Sequence, residues 1–246
     1  MLTALNAAGM GAFRRIPGIA SRGLELYSRF ERSCFRSVPL IEADHYLIHS
    51  LTPPGGIEIV LVVAHLASPM YKKRPDNQSR FVGIAQAIRE AEKAVGHDRT
   101  VVIGDLNVNP YDDAMLDVRG LNALADRRTV QRKNPRRFGK QRVEEFRLFF
   151  NPMWSHFGDA TEPAGTYYYD QSNSEVDPLW NIFDQVLLRP SLLDRFRSKN
   201  LKILTTDGLD SFVRDDDGRP KGEVYSDHLP IWFQLDLRRR GGHASN

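Results

Sequence analysis

With one cysteine, Cys34, in 246 residues, the chain can hold no internal disulfide and no metal site built from several thiolates. A single thiol is compatible with a reducing interior, and a cytoplasmic location is expected. Long hydrophobic runs are missing too. The longest, Ile57 to Ala64, is interrupted by Glu58 and is far shorter than a membrane span. The first twenty residues, MLTALNAAGMGAFRRIPGIA, lack the order of a secretory signal, because Arg14 and Arg15 follow the small apolar residues instead of preceding them. We read residues 1–21 as a poorly ordered leader, or as a start placed inside a longer frame. Residues 22–237 read as one domain and 238–246 as a basic C-terminal tail.

The rest is ordinary for a globular protein: 41% hydrophobic and 26% charged residues, enough for a sizeable core. Net charge is only +3, but it is uneven. The stretch RRTVQRKNPRRFGKQR, 127–142, holds eight Lys or Arg and no acid, so the remainder of the chain is net acidic. Such a stretch attracts polyanions by counterion release, or it is a solvated loop.

Hydrophobic patterning predicts strands over 22–30, 45–51, 57–66, 99–105, 183–189, 201–206 and 229–237. Between 57–66 and 99–105, Phe81, Ile84, Ala85, Ile88, Ala91 and Val95 recur at helical spacing, with Gly96 as the stop. A short helix is expected after Pro110, where Asp112 and Asp113 suit a first turn. A second is expected over 143–157, broken near Pro152. The stretch 207–222 reads as an exposed loop. Many strands with few helices between them indicate α+β, with packed sheets.

Polar residues then interrupt these runs at their ends. GDLN, 104–107, puts Asp105 and Asn107 where a buried strand leaves its sheet, a position that ligand sites in layered folds favour. A carboxylate there binds a hard cation or takes a proton from water; an amide donates to a phosphate oxygen. The structural alternative is an Asx-turn, in which the two side chains only hold the loop. YSDHLP, 225–230, sets Asp227 and His228 before another apolar run, and His65 ends the 57–66 strand. Asp184 is an acid within an apolar strand. Unpaired and buried it would cost several kcal/mol, so it needs a partner, and histidine is the natural one.

In this order, a histidine at a strand end, GDLN, an aspartate in F-D-x-V-L-L and SDHLP, the chain resembles the endonuclease/exonuclease/phosphatase superfamily over roughly residues 22–237. That superfamily includes DNase I-like nucleases, abasic-site endonucleases, inositol-phosphate phosphatases and neutral sphingomyelinases. The resemblance implies a four-layer α/β/β/α sandwich and a phosphoesterase, most of all a phosphodiesterase or nuclease. By position, Asp105 resembles the aspartate that orients the attacking water near the metal, and Asn107 the asparagine that holds the scissile phosphate. His228 is similar to the phosphate-contacting, proton-transferring histidine, and Asp184 to the acid that fixes its tautomer. Asp227 is similar to a metal-binding acid, and His65 to a second histidine near the phosphate or leaving group. Mg²⁺ is the implied ion, with Mn²⁺ as a substitute, because the ligands are oxygens. The basic stretch 127–142 favours nucleic acid as the substrate.

One part of the pattern is absent. Members of the superfamily begin with a strand ending in an asparagine motif and a later strand ending in the metal-binding glutamate. Asn6, Glu25, Glu31 and Glu42 do not match these in order or setting. The chain therefore reads as N-terminally truncated, with weak Mg²⁺ binding expected. We expect an internal start site; a degraded remnant and a non-catalytic nucleic-acid binder of the same fold are the alternatives.

Overall fold

The structure, a computed structural model, describes residues 6, 12–16, 23–38, 45–67, 74–132, 136–138, 144–158, 162–170 and 178–239. Its centre is a seven-stranded mixed sheet. In chain order the strands are β1 (Phe35–Ser37), β2 (Tyr46–Leu51), β3 (Ile59–His65), β4 (Thr100–Asp105), β5 (Ala123–Leu124), β6 (Phe149–Phe150) and β7 (Asp184–Leu188). Across the sheet they run β1-β2-β3-β4-β7-β6-β5. The parallel pair β3 and β4 lies near the middle, and β7 is antiparallel to β4.

The β3–β4 connection contains the helix α1 (Arg74–Val95), as a parallel crossover requires. Its buried Phe81, Ile84, Ala85, Ile88 and Ala91 recur every three or four residues and pack on Val60, Val62, Ala64 and Val102. The helix ends in a Schellman motif: the Gly96 amide donates to Lys93 O (3.3 Å) and the His97 amide to Glu92 O (3.1 Å). Gly96 adopts φ +76°, the left-handed conformation that this ending demands.

The opposite face of the sheet carries the second half of the core. Val101, Val186 and Leu188 pack there with Leu201, Ile203, Leu229, Ile231, Phe233 and Leu235. The last six come from a second, thinner sheet region, in which β8 (Lys202–Ile203) pairs with β9 (Ile231–Trp232). The architecture is thus an α+β sandwich, helix on one face of a large sheet and a second sheet on the other. Arg14–Ile16, within the stretch read as a leader, pairs with Leu26–Ser28.

Two expectations need correction. The helix expected over 143–157 is not formed by residues 144–157, which make a strand at Glu144–Phe146, β6, and a 3-10 turn at Pro152–His156; residue 143 lies outside the described residues. Leu148, Phe149 and Phe150 are all buried, so this segment is covered on both faces, and Phe150 pairs with Leu188 while Phe149 and Phe150 pair with Ala123 and Leu124. The expected 229–237 strand is paired as a ladder only at Ile231–Trp232, with single bridges at Leu235 and Arg238 further on.

Candidate active site

Register brings three of the expected residues together. β4 lies between β3 and β7; Asp105 is opposite His65 on one side and opposite Asp184 on the other. Directly opposed residues share a face of the sheet. Alternation fixes which face: Val102 and Val62 point to α1, so the odd-numbered His65 and Asp105 point to the second sheet, as does Asp184, in step with Val186. The three polar side chains close the end of the apolar layer between the two sheets.

Glycine makes this close approach possible. Gly104 has φ +137°, and a Cβ there would lie 1.9 Å from Ala64 O on β3. Gly23, at φ +80°, rests on the other side of His65, 3.0 Å from ring Nδ1 to where its Cβ would be.

His228 completes the group. Its Nδ1 hydrogen-bonds Asp184 Oδ2 at 2.8 Å, so Asp184 has the histidine partner its setting demands. Thr166 holds both halves of this pair: its hydroxyl oxygen accepts the Phe183 and Asp184 amides (3.1 Å each), and its carbonyl accepts the Leu229 amide (2.7 Å). The Tyr167 ring lies 4.6 Å from the His228 ring and stacks on Phe183. Neither Thr166 nor Tyr167 was expected at the site. The aromatic run GTYYY offered a signal, but packing and site lining look alike in sequence.

Asp105 is held from the loop that follows. Its Oδ1 accepts the Asn107 amide (2.8 Å), and its Oδ2 accepts Asn107 Nδ2 (2.7 Å) and lies 3.5 Å from His65 Nε2. Asn107, at φ +53°, also donates Nδ2 to Leu66 O at 2.7 Å. The Asx-turn and the cluster are therefore both present. Both hydrogens of the Asn107 amide are used inside the protein, and what the side chain does in this arrangement is fix Asp105. Further along the loop, Asn109 is buried; its Nδ2 donates to Asn181 Oδ1 (2.7 Å) and its Oδ1 accepts the Ile182 amide (2.9 Å), tying the loop to the segment that enters β7.

Electrostatics follow from this packing. Burial, and then the neighbouring Asp184 charge, push the Asp105 carboxyl above its ordinary value. Burial pulls His228 down, but the hydrogen bond and charge of Asp184, helped by Asp105 and Asp227, outweigh it and leave His228 raised. Asp227 itself is exposed.

Among the described residues there is no group of three His, Cys, Asp or Glu side chains able to hold a metal. The donor chemistry still fits a hard cation of the kind bound by one or two carboxylates together with water and ligand oxygens. Asp105, fixed by Asn107, and exposed Asp227, next in sequence to His228, are the carboxylates that offer such oxygens. In the basic stretch, Arg127 is consumed by the protein: it donates to Leu193 O (2.9 Å) and Phe196 O (3.2 Å) and lies over the Phe150 ring. Arg128 and Arg132 are exposed, and the remaining basic side chains of 127–142 lie outside the described residues.

No family model matches the sequence, and no curated protein matches it. Solved structures do match. An endonuclease/exonuclease/phosphatase family protein from Bacteroides thetaiotaomicron superposes with a TM-score of 0.50 at 14% identity, over 97% of this chain and 80% of that one. The fold is the endonuclease/exonuclease/phosphatase fold. At this identity the likeness is one of architecture, and within this DNase I-like architecture the site described above sits where the two sheets meet. The 3′ phosphatase NExo from Neisseria, solved with a product DNA hairpin, matches with TM-score 0.48 at 12% identity, over 96% of this chain and 82% of its own. The human Nocturnin catalytic domain, solved with a sulfate anion, matches with TM-score 0.48 at 12% identity, over 96% and 76%. No described helix is long and apolar enough to cross a membrane.

Proposed function

We propose that this protein hydrolyses phosphoester bonds, with phosphodiesters of nucleic acid as the preferred substrate. One observation carries the reading: His65, Asp105 and Asp184 stand in a single row across three strands, with His228 bonded to Asp184 at 2.8 Å. Four titratable groups far apart in sequence converge at the mouth of a core that has no packing use for them.

In the proposed reaction Asp184 takes the Nδ1 hydrogen of His228 and leaves Nε2 to face the phosphate. Because His228 is raised, its protonated form persists to higher pH than that of a free imidazole and can donate to a phosphoryl or leaving-group oxygen. Asp105, raised by burial, is a stronger base than a free carboxylate and orients the attacking water, while Asn107 fixes its rotamer. His65, 3.5 Å from Asp105, offers a second donor on the other side of the same carboxylate. Tyr167 limits the swing of the His228 ring. A divalent ion, Mg²⁺ or Mn²⁺, would be held weakly by Asp105 and Asp227; when bound it supplies positive charge against the oxygens of the reacting phosphate.

The test is hydrolysis by the intact chain of a chromogenic phosphodiester, single- and double-stranded oligonucleotides and an inositol polyphosphate, with Mg²⁺ or Mn²⁺ titrated in. Cleavage that needs the added ion, is fastest on oligonucleotide and is lost in Asp105→Ala is the expected result. Salt-sensitive oligonucleotide binding with no cleavage of any substrate would replace this reading with that of a non-catalytic nucleic-acid binder.

A further inference from the structure

The opposite end of the sheet carries a second feature. A cleft of about 620 Å³ is lined by Arg36, Thr52, Ile57, Glu58, Arg99, Arg195 and Arg239. Ile57 and Glu58 lead into β3, Arg99 leads into β4 and Thr52 follows β2, whereas the His65–Asp105 row ends β3 and β4. A seven-residue strand at about 3.3 Å per residue separates the two sites by roughly 20 Å.

Four guanidiniums face one carboxylate here. Glu58 is already engaged: it accepts from Ser50 and pairs with Arg36 at 3.0 Å. The other three arginines are anchored by carbonyl oxygens rather than by acids. Arg99 Nε donates to Glu58 O (2.7 Å), Arg239 Nε to Gly56 O (3.0 Å), and Arg195 Nη1 to Asp236 O (3.1 Å) and Arg238 O (2.8 Å). Among the described residues none of these three has an ion-pair partner, and the terminal nitrogens of Arg99 and Arg239 make no other hydrogen bond. The frame beneath them is tied down, with the Ile57 amide donating to Leu237 O (2.7 Å) and the Arg239 amide to Gly55 O (3.2 Å). Anchoring through a carbonyl fixes a guanidinium without neutralising it, and its remaining donors are left in the geometry that matches phosphate oxygens.

From this geometry we propose that the cleft is a binding site for an oligophosphate, meaning two or three linked phosphates, free or as the phosphate moiety of a nucleotide. Three fixed positive charges around one concavity, with no ion-pair partner among the described residues, repel one another; a multivalent anion compensates them together. The volume suits a small molecule. The lining has one aliphatic side chain and no aromatic ring, so the site holds phosphates and offers a base nothing to stack on.

The experiment is calorimetric titration of the full chain with orthophosphate, pyrophosphate, tripolyphosphate and ATP, at constant ionic strength with EDTA. Affinity should rise at least tenfold from orthophosphate to tripolyphosphate. ATP should match tripolyphosphate within about threefold. Arg239→Ala, at an exposed position, should weaken tripolyphosphate at least tenfold with an unchanged circular dichroism spectrum, and Arg239→Lys by less. Asp184→Asn, at the other pole, should leave binding unchanged. No saturable binding, equal affinity across the phosphate series, or unaltered binding by Arg239→Ala would overturn the proposal. Loss of binding in Asp184→Asn would move the anion to the His228 site, and ATP far tighter than tripolyphosphate would mean that the base is read.

Discussion

Replacing Asp184 by Asn removes a charge and changes almost nothing in volume. The backbone of residue 184 stays anchored, because the Thr166 hydroxyl takes its amide and β7 keeps its pairing with β4. What changes is the atom facing His228 Nδ1 at 2.8 Å. A carboxylate accepts there and places the neutral ring's hydrogen on Nδ1; an amide can present N–H instead and shift that hydrogen to Nε2. Loss of one positioned acid–base group costs about 10²–10⁴ in turnover, which is about 2.7–5.4 kcal/mol of barrier. Stability should respond far less. A hydrogen bond to a charged group contributes about 1.5–3 kcal/mol. Removing Asp184 also removes one of the causes that push Asp105 up, which offsets part of that loss. The expected net change in unfolding free energy is under about 2 kcal/mol. The assay pairs turnover of a chromogenic phosphodiester with urea unfolding of the same preparation. Turnover within threefold of wild type, with the fold intact, would refute the argument that Asp184 acts through His228.

Three other outcomes are expected from the packing. Glu92 and Arg189 are a buried pair at 2.7 Å, and Arg189 lies 3.8 Å over the Phe149 ring. Glu92→Ala strands the guanidinium and should cost about 3–5 kcal/mol, whereas the double change Glu92→Leu with Arg189→Met should recover most of it in thermal melts. His49 is buried with neither ring nitrogen hydrogen-bonded among the described residues, and burial lowers its pKa. Its unfolded form binds more protons below the ordinary histidine value, so it should drain stability as pH falls through about 6.5 toward 5. His97 and His156 are shifted the same way, and His49→Leu should flatten part of the urea-midpoint loss over that window. Gly104→Ala places a methyl 1.9 Å from Ala64 O at a left-handed φ and should cost about 3 kcal/mol or more, read as a lower urea midpoint.

The central strands and α1 were legible because their burial is periodic and local. Val60, Val62 and Val102 alternate with residues of the other face, and Phe81 to Ala91 keep a helical period. Asp105 and His228 stood out as polar residues at the edge of an apolar run, and Asp184 as an acid within one. Residues 143–157 misled because Leu148, Phe149 and Phe150 are buried on both faces, and a continuous apolar run fits a helix or a strand. The partner that decides between them, Leu188 on β7, is remote in sequence. Thr166 and Asn109 were invisible for the same reason. Their bonds reach Asp184 and Asn181, and nothing local marks either residue as a positioning group. The engagement of both Asn107 amide hydrogens depends on Leu66 O, forty-one positions away.

In the proposed function the row His65, Asp105, Asp184 and His228 performs hydrolysis. Its most direct measurement is the rate at which purified intact chain, with saturating Mg²⁺, releases product from a chromogenic phosphodiester, compared with the same amount of His228→Ala. The expected result is a rate proportional to protein and at least a hundredfold fall in the variant, with the variant still folded at the assay temperature by circular dichroism. Equal rates from the two proteins would contradict it.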